Sequence, residues 1–490
     1  MHMPGHKGRG LGSALDAAFP LDITEIPGAD SLFDAAGIIA ESEANAAAWY
    51  HTAGTVYSTA GSTLCIQTML ALMQQEHRRV LAVRNVHRAF LTASVLLGLE
   101  VEWIYPTYTG GILSGTVTPA QIAAALDASP TPACVYVTSP DYLGHCADIA
   151  GIAAVCHAHQ APLLVDNAHG AHLGLFSPSR HPIALGADLC CDSAHKMLPA
   201  LTGCAYLHTS QPRYAARAKA AMSLFGSTSP SYLLLASLDL CNAYLAEHGA
   251  ADLARVTAAL TMLRQELSDC WRFYPGEPLH LTICAAESGM EGTELAQRLE
   301  GEGIFCEYAD RDFTVLLCGC PTTLQELQRL QDALRRIAAL RGQPRQPESF
   351  SLPVPEQVCS MRRAALGDYE TVPVEAAEDR ICAGVHVPCP PAIPIAVSGE
   401  RISGACINIF RRYGKIETGY IGACIRSMRF CPGKGDGYET VRQCTWTGCH
   451  RSHVYQRQTA PQLSHLRRAG YREKDPGMVP GGTAAVRRGA

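Results

Sequence analysis

The chain has 490 residues, 47% of them hydrophobic and 17% charged, which is long and apolar enough for two or three domains with real cores and excludes a disordered polymer. A net charge of −5 gives no global reason to expect nucleic acid, and no apolar run reaches bilayer length: the best, around 89–99, is broken by Glu100. The 21 cysteines are scattered through apolar segments such as Leu189-Cys190-Cys191, where they read as small buried hydrophobes of a cytoplasmic protein, not as a disulfide frame.

In chain order, apolar runs alternate with helical patterns. Residues 79–83, 101–105, 133–137, 162–165 and 188–191 read as strands, and 63–75, 87–97, 119–128 and 149–159 as helices. The alternation predicts an α/β fold with a mostly parallel sheet covered on both faces, whose ligands lie beyond the carboxyl ends of the strands. A second, smaller α/β unit is expected over 271–340, with strands at 280–285 and 314–318 and helices at 291–302 and 322–340. A polar stretch with two prolines, 341–349, reads as a linker. Residues 404–490 hold 15 Lys+Arg, 12 of them Arg, against 5 Asp+Glu, so this end is +10 and the rest −15. Hydrophobic periodicity fades after about 425. Cys431, Cys444, Cys449, His450 and His453 lack zinc-site spacing. The aperiodic Arg-, Gly-, Pro- and Cys-rich text there is what GC-rich DNA gives in a wrong frame, and the tail is expected to be an out-of-frame translation.

Three strand ends carry polar groups out of proportion. Ser58-Thr-Ala-Gly-Ser-Thr63 leads into a helix and offers small residues, hydroxyls and free N–H groups to a phosphate; a plain helix cap is the alternative. Asp166 ends a buried run and is followed by His169 and His172, a pair too short of ligands to predict a metal. Lys196 follows the next run, between Ser193, His195 and Met197; a lysine where a core ends is a Schiff-base candidate, and a lysine reaching to water is the plainer reading. Taken together, a phosphate cradle, a strand-end Asp and, 30 residues later, a strand-end Lys are the parts that hold pyridoxal phosphate.

The strings that carry these groups also resemble a known family. His2-Met-Pro-Gly-His-Lys-Gly8, Ala60-Gly-Ser-Thr63, Arg84-Asn-Val-His-Arg88, Thr138-Ser-Pro-Asp-Tyr-Leu-Gly144, Val165-Asp-Asn-Ala-His-Gly-Ala-His172, Asp192-Ser-Ala-His-Lys-Met-Leu-Pro-Ala-Leu-Thr202 and Thr228-Ser-Pro-Ser-Tyr232 run in the order of the ornithine/lysine/arginine decarboxylases, fold type I pyridoxal-phosphate enzymes. The resemblance implies a fold type I large domain, with a mostly parallel seven-stranded sheet between helices, and a smaller α/β C-terminal domain. The expected boundaries are 1–260 for the cofactor-binding major domain, 261–342 for the small α/β domain, 350–425 for the C-terminal family domain and 426–490 for the basic tail. It implies Lys196 as the covalent cofactor lysine, Asp166 as partner of the pyridinium nitrogen, His87 stacked on the cofactor ring and His169 beside it. Gly61, Ser62, Thr63, Ser193 and His195 would hold the phosphate. Thr228 and Ser229 would lie near the site at an interface, in a homodimer or higher homo-oligomer. Lys196, His169 and His87 are the expected catalytic residues, with no metal, membrane or nucleic acid.

The activity implied is decarboxylation of arginine, lysine or ornithine to the amine. An aminotransferase or aldolase on the same scaffold and a catalytically impaired cofactor-binding homologue are the alternatives. Glu41, Glu43, Glu307 and Asp310 are candidate partners for a basic substrate, surface solvation being the commoner role of any one. Two departures stand out. The first motif begins at the chain's start, so the chain is a short form or lacks its true start. In the C-terminal segment, Gly384, Cys389, Ala392 and Ser398 stand where the family has Glu, Tyr, Gly and Pro, while Gly399-Glu400 is kept.

Overall fold

A computed structural model describes residues 2–74, 79–129, 133–384, 393–413 and 420–424, all within one compact unit, Met1–Phe430. The basic tail with its Cys431, Cys444, Cys449, His450 and His453, and the altered positions Cys389 and Ala392, lie outside the described residues.

Seven strands form the central sheet: Gly54–Ser58 (β1), Arg79–Val83 (β2), Glu100–Ile104 (β3), Ala133–Thr138 (β4), Leu163–Asp166 (β5), Leu189–Asp192 (β6) and Ala205–Thr209 (β7). Their order is β1-β7-β6-β5-β4-β2-β3. Strands β2 to β6 are parallel; β7 runs antiparallel to both β6 and β1. Strands β5 and β6 are buried at every residue, as a sheet covered on both faces requires. The helices supply that cover. After the N-terminal helix Ile38–Tyr50 (α1), Gly61–Gln74 (α2), Arg88–Leu97 (α3) and Pro212–Ser223 (α7) pack on one face through Ile66, Met69, Phe90 and Tyr214. Pro119–Ala128 (α4) and Ile149–Ala158 (α5) pack on the other through Ile122, Leu126, Ile149 and Ile152.

Local chemistry sets the ends of these helices. Thr118 and Gln121 form a capping box at α4, with Pro119 at the first helical position. Helix α3 starts on His87, whose ring accepts the Ala89 N–H, and ends on Gly98 in the left-handed region at φ 66. Strands β2 to β6 and helices α2 to α5 fall within one or two residues of the spans expected. β1 and β7 are additions: both are five-residue segments rich in Tyr, Thr, Ser or His, and they form the antiparallel side of the sheet, where no strand–helix–strand rhythm announces them.

Two further helices, Tyr232–Tyr244 (α8) and Ala250–Glu266 (α9), lead to the second unit. There His280–Cys284 (β8), Tyr308–Ala309 (β9) and Phe313–Leu317 (β10) form an antiparallel sheet in the order β8-β10-β9. Gly292–Gly301 (α10) and Leu324–Ala338 (α11) cover it, and α11 starts with a Thr323/Glu326 capping box. Trp271, fully buried, ties this layer together by donating its indole N–H to the Leu334 carbonyl at 3.0 Å.

The C-terminal region returns to the large sheet. Arg84, just past β2 and wholly buried, makes a two-pronged pair with Glu400 at 2.5 and 2.7 Å and donates to the carbonyls of Pro394 and Ile395. Its guanidinium lies 4.7 Å from the Trp103 ring centre. A buried bidentate pair with its remaining protons satisfied is costly to break from one side. It fixes residues 394–400 against the end of β2, so the retained Glu400 has a structural reason to be kept. Ser398, at one of the altered positions, donates to the carbonyl of Gly384, at another, at 2.9 Å.

Candidate active site

A cleft opens at the carboxyl ends of the parallel strands. Asn85 and His87 reach it from the end of β2, Thr138 from β4, Asp166 from β5, Ser62 from the start of α2, and Lys196 from the single helical turn Ala194–Met197 (α6) after β6. Tyr108, Tyr142, Leu113 and Ile393 supply much of the apolar lining.

Asp166 is 2% exposed. Its carboxylate accepts from the Tyr136 hydroxyl at 3.1 Å, the Cys191 thiol at 3.6 Å and the Ala168 N–H at 3.2 Å. Burial and the neighbouring Asp166 charge push both Tyr136 and Cys191 well up, so both stay protonated and donate. All three donors are neutral. Among the described residues no cation is paired with this buried carboxylate, an expensive arrangement for a charge. Two more groups on the cleft are unsatisfied: Asn85 Oδ1 and Thr138 Oγ1 are buried with no hydrogen-bond partner among the described residues.

Lys196 Nζ lies 3.0 Å from His169 Nε2. His169 is buried; burial and the Lys196 charge hold its pKa well below the ordinary histidine value, so the ring is neutral at pH 7. The edge of Tyr142 abuts it at 4.8 Å. His87 caps α3 and lines the cleft at once. Its Nδ1 accepts the Ala89 N–H at 3.1 Å, which leaves the ring proton on Nε2.

At the start of α2, Gly61 has φ +68, a conformation that suits glycine, and its N–H donates to Gly203. Ser193 Oγ donates to Ser62 Oγ at 2.8 Å, bringing two hydroxyls to the first-turn N–H groups. Thr63 is exposed on that turn, and His195 turns its Nδ1 to the Cys204 carbonyl at 3.0 Å. Thr228 and Ser229 are exposed between α7 and α8 and are not part of this cleft. The structure thus gathers Ser62, His87, Asp166, His169 and Lys196 on one cleft, with Ser193 directly behind Ser62.

The four acids singled out for a basic substrate are elsewhere. Glu43 is buried against Lys219 at 2.7 Å, Glu41 and Glu307 are exposed, and Asp310 accepts from Tyr308 and two backbone N–H groups. Besides Asp166, the cleft is lined by a second acid, Asp141, whose Oδ1 accepts the N–H groups of Leu143 and His145, each at 2.9 Å. Burial pushes its pKa up to about 7. It stands in the quoted Thr138-Ser-Pro-Asp-Tyr string, but only the fold shows that it faces the cleft.

The fold is shared with solved enzymes. Lysine decarboxylase from Francisella novicida superposes with a TM-score of 0.72 at 17% identity, covering 87% of this chain and 79% of that one. This places the protein in the fold type I class, with its mostly parallel sheet and smaller C-terminal domain. The sequence comparison is more specific. Residues 2–286 match the Orn/Lys/Arg decarboxylase major domain, and residues 346–422 match the C-terminal domain of the same enzymes. The chain belongs to the Orn/Lys/Arg decarboxylase family. An arginine decarboxylase of Halalkalibacterium halodurans is 30% identical over 438 residues, 84% of this chain and 89% of that protein. The Bacillus subtilis protein YaaO is 30% identical over 448 residues, 85% and 91% of the two chains. No helix among the described residues is long and apolar enough to cross a membrane.

Proposed function

We propose that the chain is a pyridoxal-phosphate-dependent decarboxylase that converts arginine, lysine or ornithine to the corresponding amine, as a cytoplasmic homodimer. The observation that carries this reading is Asp166, a buried carboxylate with only neutral partners, set on one cleft with Lys196 and with the orphaned Asn85 and Thr138. A pyridinium N–H is the cation such a carboxylate lacks. The cofactor's other polar groups suit the unpaired amide and hydroxyl.

Lys196 would hold the cofactor's aldehyde carbon, Asp166 its ring nitrogen, and Ser62, Thr63 and Ser193, with Gly61 and His195, its phosphate. His87 would lie on the ring face. The bound cofactor supplies an electron sink for the pair left behind when carbon dioxide departs. The chain's own residues do the rest. The apolar lining of Tyr108, Tyr142, Leu113 and Ile393 excludes water, so the leaving carboxylate is poorly solvated. His169, neutral and 3.0 Å from Lys196, is placed to exchange a proton with the lysine amine, which returns a proton to the substrate's α-carbon. Asp141 is the anion on the cleft for the distal guanidinium or ammonium group. Thr228 and Ser229, exposed and away from this cleft, would act on the site of a second copy.

The relatives named arginine decarboxylase and the fold neighbour named lysine decarboxylase support a basic substrate. The test is carbon dioxide release from arginine, lysine and ornithine by the purified full chain with added pyridoxal phosphate. Turnover of one of them is expected. Cofactor binding without any release would favour the impaired homologue, and a transamination or aldol product would overturn the reaction assigned.

A further inference from the structure

Behind His169 lies a line of buried groups that the cofactor reading does not use. His169 Nδ1 is 3.3 Å from His280 Nε2, with the two rings stacked at 5.5 Å and 28°. His280 Nδ1 bonds to Glu277 Oε1. The other carboxylate oxygen, Oε2, takes His172 Nε2 at 2.6 Å and the Leu279 N–H at 3.0 Å. His169, His172, Glu277 and His280 are each 5% exposed or less. His280 sits on the first strand of the small sheet and His169 after β5 of the large one, so the contact exists only because the two units pack together.

Hydrogen-bond logic gives this line one direction. A carboxylate accepts only, so His280 carries a proton on Nδ1 and in its neutral form turns a bare Nε2 toward His169. His169 must then donate from Nδ1, which leaves its own Nε2 bare and facing the amine of Lys196. We propose that His280, oriented by Glu277, is a positioning residue that fixes the tautomer of His169, so that His169 presents a proton acceptor to Lys196. This rests on the reading of Lys196 and His169 given above. The third group in such a series orients the acceptor without itself touching substrate.

The groups facing His169 are Lys196 from α6, His87 from the start of α3, Tyr142 from the loop after β4, and His280 with Glu277 from the small unit. Burial and the Lys196 charge disfavour a charged His169, and Glu277 favours it.

The first test needs no cofactor. In wild-type protein carrying ¹⁵N-histidine, with His169 assigned through His169→Gln, the nitrogen shifts should show Nδ1 protonated and Nε2 bare; a proton on Nε2 overturns the proposal. This result stands whether or not the chain proves to be a decarboxylase, so the two failures are separable. If the chain turns over a substrate, His280→Gln should lower kcat about 10- to 100-fold with KM within about twofold. Unchanged kcat in a folded His280→Gln protein, or a loss carried by KM instead of kcat, would overturn it.

Discussion

Asp166 and Asp192 end neighbouring parallel strands, β5 and β6, and both are essentially inaccessible to water. Their surroundings differ in one respect. Asp192 has His181 at 3.1 Å and His208 at 3.3 Å, and Asn167 donates to its other oxygen at 2.7 Å. Burial alone would raise its pKa, but the two imidazoles outweigh that and hold the carboxyl far below the usual range. Asp166 has a phenol, a thiol and a backbone N–H, and it faces the cleft. One carboxylate is satisfied by its own chain and reads as part of the framework. The other has only neutral donors and faces the cleft, which is why the proposed reading gives it to the cofactor. Burial alone does not separate them; the partners do: two imidazoles and an amide at one, a phenol, a thiol and a backbone N–H at the other.

The sharpest way to break the contrast is to neutralise each acid in turn. Asp166→Asn should lower turnover by at least about 10²-fold while leaving the urea midpoint near that of the wild type, since it removes a charge aimed at the reacting group. A large loss of stability with turnover intact would reverse the two assignments. Asp192→Asn should do the opposite, costing about 1–3 kcal/mol in equilibrium unfolding because the buried imidazoles beside it lose the carboxylate they face. The sign against pH follows. A carboxyl with a depressed folded pKa contributes stability above its unfolded value, near 4, and loses it as pH falls, so the wild type should weaken in acid more steeply than Asp192→Asn.

Smaller effects sharpen the picture around the cleft. Asp141→Asn should raise KM for the basic substrate about tenfold, with kcat little changed. Because the pKa of Asp141 is pushed up to about 7, its charge is lost below that value, and the wild-type KM should rise as pH falls through 7 while the variant's stays flat there. Ser193→Ala removes one hydroxyl bond beside the phosphate cradle. It should weaken cofactor affinity only about fivefold, as an absorbance titration would show.

Much of this was legible in the residues. The strand–helix rhythm placed β2 to β6 within a residue or two, and with them the strand ends that carry Asp166 and Lys196. The rest needed three dimensions. β1 and β7 escaped notice because they are short, polar-tinged and antiparallel to each other. Arg84 stands in a quoted motif, but its partner Glu400 is 316 residues away, so its anchoring role has no local sign. Glu277-Pro-Leu-His280 reads as an ordinary loop before a strand. Only the packing of the small unit on the large one brings it behind His169. Asp141 has a local signal, its place in a string after a strand, but nothing in that string says that its carboxyl faces the cleft.

In the proposed function Lys196 would be the covalent anchor of the cofactor on this cleft. The direct measurement is borohydride reduction of the purified chain with pyridoxal phosphate, followed by peptide mass mapping. The expected result is a single stoichiometric adduct on Lys196 that disappears in Lys196→Ala. An adduct on another lysine, or none, would contradict the account.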